Sequence, residues 1–183
     1  KEIQPGFIPG YVRLGYGNYG NLDILANYLF RLSDQDKLNV NFKMDGMDGK
    51  LDMPFGDTRK WNAFYYRTRA NVDYVHQFAK LDLNVAGNFG LSNFNYEPYG
   101  FKKQKFTSGD VHFGVKSTDE TLPLQYRAET NLMLYGRQQC QLFGGVNETL
   151  IRTLATVSGS ISDEQTVAIG FAMNNLIYGN ELK

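Results

Sequence analysis

The stretch Asn62–Phe78, NAFYYRTRANVDYVHQF, decides the fold of this chain, because its apolar and polar residues alternate with a period of two. This alternation predicts a β-strand with one apolar and one polar face. Ordinary strands average about 5–6 residues. A tilted strand that crosses the hydrocarbon of a bilayer needs about 9–11. The stretch is therefore long enough for a membrane-crossing strand.

The same alternation recurs along most of the sequence. Clear runs begin at Leu22, Leu38, Leu81, Val111 and Leu122. Weaker runs span 151–161 and 167–173, and an opening segment covers 11–19. Together with Asn62–Phe78 they predict about nine strands. Short polar connections, such as 33–37 and 79–80, alternate with longer ones, such as 49–60 and 95–105. Up-and-down barrels of bacterial outer membranes separate short turns from long loops in this way.

Composition narrows the class of protein. Hydrophobic residues make up 42% and charged residues 21% of the 183, which is typical of a folded chain, and we expect one domain over 1–183. The formal net charge is zero, so no nucleic-acid partner is expected. No stretch approaches the roughly 18 apolar residues of a transmembrane helix. The single cysteine, Cys140, cannot form an internal disulfide.

The phase of the alternation assigns residues to two environments. We expect lipid-facing side chains at Val72, Tyr74, Leu83, Val85 and Leu132. We expect polar side chains facing a hydrated lumen at Arg67, Arg69, Asp73, Asp82, Asn84, Arg127 and Glu129, where cross-strand ion pairs are possible. Aromatic residues collect at membrane–water boundaries. The sequence places such a girdle at Trp61, Tyr66, Phe78, Phe94 and Tyr96.

No motif in the chain predicts catalysis, a cofactor or a metal ion. Two histidines and one cysteine are too few for a typical zinc site. Gly15–Gly20 matches a dinucleotide fingerprint by letter but lacks the strand and helix that the fingerprint requires. Asp45–Gly49 lacks the residue order of a calcium-binding loop. We therefore expect no catalytic, cofactor-binding or metal-binding residues.

Three segments carry a family resemblance. They are GYGNYGN at 15–21, ANYLFRLSD at 26–34 and DGMDG at 45–49. They resemble the barrel portion of Bacteroidetes outer-membrane proteins of the TonB-dependent-receptor-like group, over about 11–93. The resemblance implies an outer-membrane location and a role in transport or envelope assembly. It implies no catalytic or ligand residues, and no plug domain or energy-coupling box is seen.

These observations predict an all-β chain forming part of an antiparallel transmembrane β-barrel. Complete bacterial barrels normally have an even number of strands, so about nine indicates a section of a larger barrel. Expected partners are outer-membrane lipid and further barrel strands or partner envelope proteins. The expected function is non-enzymatic: solute passage or uptake, or a structural subunit of an envelope complex. The alternatives are a soluble β-sandwich or lipocalin-like binder and, less favoured, an outer-membrane enzyme with its site among the long loops.

Overall fold

The computed structural model describes residues 9–52, 60–95, 103–138, 144–162 and 165–180. Over these residues the chain is all-β, with nine strands and one short 3-10 turn at Asn18–Gly20. The strands are β1 (Gly10–Gly17), β2 (Asn21–Arg31), β3 (Asp36–Asp52), β4 (Lys60–Gln77), β5 (Leu81–Asn95), β6 (Lys103–Ser117), β7 (Leu124–Arg137), β8 (Val146–Ser162) and β9 (Gln165–Asn180).

The nine described strands form one sheet in the order β1 to β9, and each pairs antiparallel with the next along the chain. The prediction of an all-β, up-and-down arrangement is confirmed. The sheet is open, with β1 at one edge and β9 at the other. The described strands thus do not close a barrel among themselves.

The strands extend beyond the clearest alternation. β3 has 17 residues and β4 has 18, because cross-strand hydrogen bonding continues past the apolar stretch as far as the Asp52–Lys60 pair. β7 begins at Leu124 and not at Leu122 as the apolar pattern predicts. Pro123 explains this difference, since proline has no N–H to donate to the strand ladder.

Connections differ in length at the two ends of the sheet. At one end they span 32–35, 78–80, 118–123 and 163–164, and at the other 18–20, 53–59, 96–102 and 138–145. The short-turn end is held by local contacts. The Thr121 hydroxyl and backbone N–H donate to the Asp119 carboxylate and lower its pKa, and Lys80 lies 3.7 Å from Asp119.

The tight β1–β2 turn lies at the same end as the long connections. Tyr19 and Gly20 both have positive φ, of 60° and 65°. A Cβ on Gly20 would clash with the carbonyl oxygen of Asp48, and one on Gly49 would lie 2.8 Å from the Tyr19 carbonyl oxygen. The two glycine-containing segments of the resemblance, 15–21 and 45–49, therefore pack against each other at one corner of the sheet.

The described part of the chain has almost no buried hydrophobic core. Only two of its hydrophobic residues are buried, Ala63 (4% exposed) and Val146 (8%). A single open sheet cannot bury either of its own faces, so most large apolar side chains on it remain accessible.

Candidate functional site

One face of the sheet is apolar across all nine strands. Residues directly opposite each other in an antiparallel pair share a face. One continuous row across the sheet therefore reads Gly10, Tyr28, Val40, Val72, Gly87, Val111, Leu132, Ile151 and Asn175. The neighbouring row from β2 onward reads Phe30, Leu38, Tyr74, Val85, Phe113, Thr130, Thr153 and Met173. We call the surface built from these rows the apolar face.

The apolar face is open and free of charge through its middle. Val72 is 44% exposed, Val111 55% and Ile169 73%. On β3 the apolar run of this face, Leu38 to Gly46, is bounded by the charged residues Asp36 and Asp48, and Lys50 and Asp52 follow beyond Asp48. At about 3.3 Å per residue Asp36 and Asp48 lie roughly 40 Å apart along the strand. A tilt of about 45° reduces that separation to roughly 28 Å, close to the apolar band of about 25 Å on outer-membrane barrels.

A compact polar cluster lies at the edge of the apolar face that is nearest the short turns. The Asp36 carboxylate accepts hydrogen bonds from the Tyr74 hydroxyl at 2.6 Å and from the Ser33 hydroxyl at 2.6 Å. Its oxygen Oδ1 also lies 2.5 Å from His76 Nδ1. The ring of Phe78, in the following turn, packs 4.2 Å from the His76 ring. The charged groups at this edge of the apolar face are thus partnered locally.

The predicted lipid-facing and lumen-facing residues fall on opposite faces. Val72, Tyr74, Leu83, Val85 and Leu132 lie on the apolar face. Arg67, Arg69, Asp73, Asp82, Asn84, Arg127 and Glu129 lie on the other face, which we call the polar face. The register thus separates the two predicted sets completely.

The expected ion-pair ladder among the polar residues does not form. Arg67 pairs at 2.8 Å with Asp45 of β3, which is outside the predicted set. Asp73 accepts a hydrogen bond from Asn84 at 2.9 Å. Within the described residues, the set contains one ion pair, Arg127–Glu129 at 2.8 Å, and both partners lie on β7. The register explains this: the residue opposite Arg127 on β6 is Lys116.

What crosses the strands is instead an asparagine ladder, which we define as Asn27, Asn41, Asn71, Asn88 and Asp110. These residues occupy one row of the polar face, from β2 to β6. The Nδ2 of Asn27 donates to Asn41. Asn41 donates to Asn71 at 3.0 Å, Asn71 to Asn88 at 2.6 Å, and Asn88 to the Asp110 carboxylate at 2.8 Å. Every donor points toward β6, so the amide dipoles are aligned.

Sequence reasoning missed the asparagine ladder, although it placed asparagines on the polar phase of these runs. The missing information was the register, since a shift of two residues in one hairpin keeps the same faces but breaks the row. The available signal was one asparagine near the middle of each of four consecutive runs.

The residues predicted to form the aromatic girdle lie on both faces of the sheet. Tyr66 lies on the apolar face, and Phe78 follows β4 in the turn. Trp61 and Phe94 share the phase of the polar face, and the Phe94 ring stacks on Phe106 at 5.6 Å. Tyr96 lies outside the described residues. The predicted girdle residues therefore do not share one face, because they were grouped by position along the strand and not by face.

Other kinds of site find no support in the described ranges. The described ranges contain no cluster of three or more His, Cys, Asp or Glu residues that could hold a metal ion. In the same part of the chain, no helix is long and apolar enough to span a membrane. Comparison with known proteins found no matching family model, curated protein or solved structure.

Proposed function

We propose that this chain forms part of the wall of a bacterial outer-membrane β-barrel, with the apolar face against lipid and the polar face toward a hydrated lumen. Its role in this proposal is non-enzymatic: solute passage or uptake, or a structural subunit of an envelope complex. The TonB-dependent-receptor-like resemblance belongs to the same proposal. The observation that carries it is the exposed apolar face, free of charge through its middle, that nine consecutive strands share.

The large area of the apolar face favours lipid, and not water, as the medium that covers it. Monomeric soluble proteins rarely expose contiguous apolar patches above a few hundred Å². Here, exposed large hydrophobic side chains occur on the apolar face from Val12 and Leu14 of β1 to Ile169 and Phe171 of β9. Each Å² of apolar surface removed from water contributes about 25 cal/mol. Lipid would supply that stabilisation evenly over the whole width of the sheet.

The two open edges support membership in a larger barrel. In a bilayer, each backbone group without a hydrogen-bond partner costs several kcal/mol. The outer sides of β1 (Gly10–Gly17) and β9 (Gln165–Asn180) pair with no other described strand. In the proposed assembly, further barrel strands or a partner envelope protein complete both edges.

The soluble alternative requires the apolar face to be buried within the protein. A sandwich or lipocalin-like protein buries its apolar faces against a second sheet or inside a closed barrel. The described strands form one sheet, and its apolar face packs against no second layer. This arrangement favours the membrane proposal over the soluble one.

The test compares one substitution on opposite faces of the same strand. Val85→Arg places a cation on the apolar face, one row inside the row of Asp36. The cost of a cation rises from about 0–1 kcal/mol at the interface to about 2–4 kcal/mol at the bilayer midplane, and we expect an intermediate cost at Val85. Ala86→Arg places the same side chain on the polar face, directly opposite Asp73. We expect Val85→Arg, and more strongly the deeper Val72→Arg, to deplete the chain from the outer-membrane fraction of cells. Ala86→Arg should leave the amount near that of the unsubstituted chain.

Equal recovery of the Val85→Arg and Ala86→Arg chains in the outer-membrane fraction would contradict the proposal. Recovery of the unsubstituted chain in a soluble fraction without detergent would contradict it as well and would favour the soluble binder.

A further inference from the structure

We propose that Lys43 and Arg69 form a binding site for a small oxyanion on the polar face, midway along strands β3 and β4. The two residues lie directly opposite each other on β3 and β4. Directly opposed Cβ atoms on paired strands lie about 4.5–5.5 Å apart, and like charges at such positions are destabilising. A bound anion between the two cations would remove that repulsion.

Neither cation is neutralised by the described part of the chain. No hydrogen bond or ion pair to another described residue engages Lys43 or Arg69. Two nearby arginines of the polar face do form ion pairs: Arg13 pairs with Asp23 at 3.2 Å, and Arg67 pairs with Asp45 at 2.8 Å. The carboxylates beside the pair are thus already engaged with other arginines.

A cavity of about 340 Å³ lies beside the two cations, and Ser108, Gly90 and the asparagine ladder from Asn41 to Asp110 contribute to its lining. Gly90 is directly opposite Ser108, and a Cβ there would lie 2.5 Å from the Ser108 hydroxyl. The missing side chain leaves this part of the row open beside Arg69. The cavity is large enough for a phosphate, a sulfate or a small carboxylate.

The polar groups beside Lys43 and Arg69 are suited to binding an oxyanion. The Arg69 guanidinium offers a planar fork of N–H donors, and the Lys43 ammonium offers three more. The Ser108 hydroxyl can donate as well. Asn41 and Asn71 each use only one of their two amide N–H groups in the asparagine ladder. The carboxylate in the lining, Asp110, lies on β6 and accepts from Asn88.

The test uses inorganic phosphate and the purified full chain in detergent micelles. Thermal unfolding and calorimetric titration are followed at constant ionic strength, with sodium chloride replacing phosphate. We expect phosphate to raise the unfolding temperature of the unsubstituted chain. Lys43→Gln and Arg69→Gln should each weaken phosphate binding by about tenfold or more, the loss expected for one charge-assisted contact. Without phosphate, both variants should be at least as stable as the unsubstituted chain, because the repulsion is gone.

The matched control is a second pair of opposed cations on the same face, Lys116 and Arg127. Arg127 is already bound to Glu129, so Lys116→Gln should leave phosphate binding unchanged. Lys43→Arg, which keeps the charge, should bind phosphate nearly as well as the unsubstituted chain. Sulfate and succinate, titrated in the same way, distinguish tetrahedral oxyanions from carboxylates. Responses to all three anions no greater than the response to chloride, or phosphate binding unaffected by Lys43→Gln and Arg69→Gln, would overturn the proposal.

Discussion

At the scale of single residues, the asparagine ladder gives the polar face a fixed geometry. Each member from Asn41 to Asn88 both donates and accepts, and the Asp110 carboxylate accepts from the last amide. Asparagine is a poor strand former by propensity. Its occurrence in the middle of four consecutive strands is explained by side-chain hydrogen bonding across the sheet.

We therefore expect Asn71→Leu to destabilise the chain, because it interrupts the ladder at its centre. It removes the donor to Asn88 and the acceptor of Asn41, and each lost hydrogen bond contributes about 0.5–1.5 kcal/mol. The loss should appear as a lower urea midpoint for unfolding in detergent micelles. Adding Asn88→Leu to Asn71→Leu should cost less than Asn88→Leu alone, since the two residues already share one of the lost bonds.

The control for this prediction is Asn174→Leu, on the polar face of the edge strand β9 and outside the ladder. It should change the midpoint little. Equal effects of the substitution at Asn71 and Asn174 would show that the ladder contributes no stability.

At the scale of elements, alternation alone located the strands but not all their limits. Period two assigned Val72 and Arg69 to opposite faces without knowledge of the register, because side-chain direction depends only on the backbone pleat. The pattern did not locate the start of β6 at Lys103 or of β7 at Leu124, since strand ends depend on pairing and on proline. The hydrogen-bonded ladder was equally out of reach, because it depends on which residues stand opposite each other.

The β1–β2 turn offers a prediction at this scale. Gly20→Ala should destabilise the hairpin, because Gly20 has a φ of 65° and its Cβ would meet the backbone of Asp48. Gly17→Ala, in the same segment, should be tolerated, because its nearest neighbour would be the Asn21 Cβ at 3.5 Å. Amide hydrogen exchange of β1 and β2 measures the effect. Faster exchange in Gly20→Ala alone is the expected result, and equal exchange in both variants would contradict the packing of this turn on β3.

At the scale of the whole molecule, the sheet has two faces of opposite character and two edges, β1 and β9, that pair with no other described strand. The contrast between the faces was predictable, because apolar and polar residues alternate within each run of the sequence. The identity of the strands that would complete the two edges was not predictable. Unpaired backbone groups of β1 and β9 have the same chemistry whichever strand completes them. The central claim is therefore about the apolar face and the solvent that covers it.

The most direct test of that claim is fluorescence quenching by lipids brominated on their acyl chains. In a Trp61→Phe background, a single tryptophan is placed at Val85 on the apolar face or at Ala86 on the polar face, and each chain is reconstituted into bilayers. Contact with lipid predicts strong quenching for Val85→Trp and little for Ala86→Trp. Equal quenching at the two positions, or none at Val85→Trp, would contradict the account.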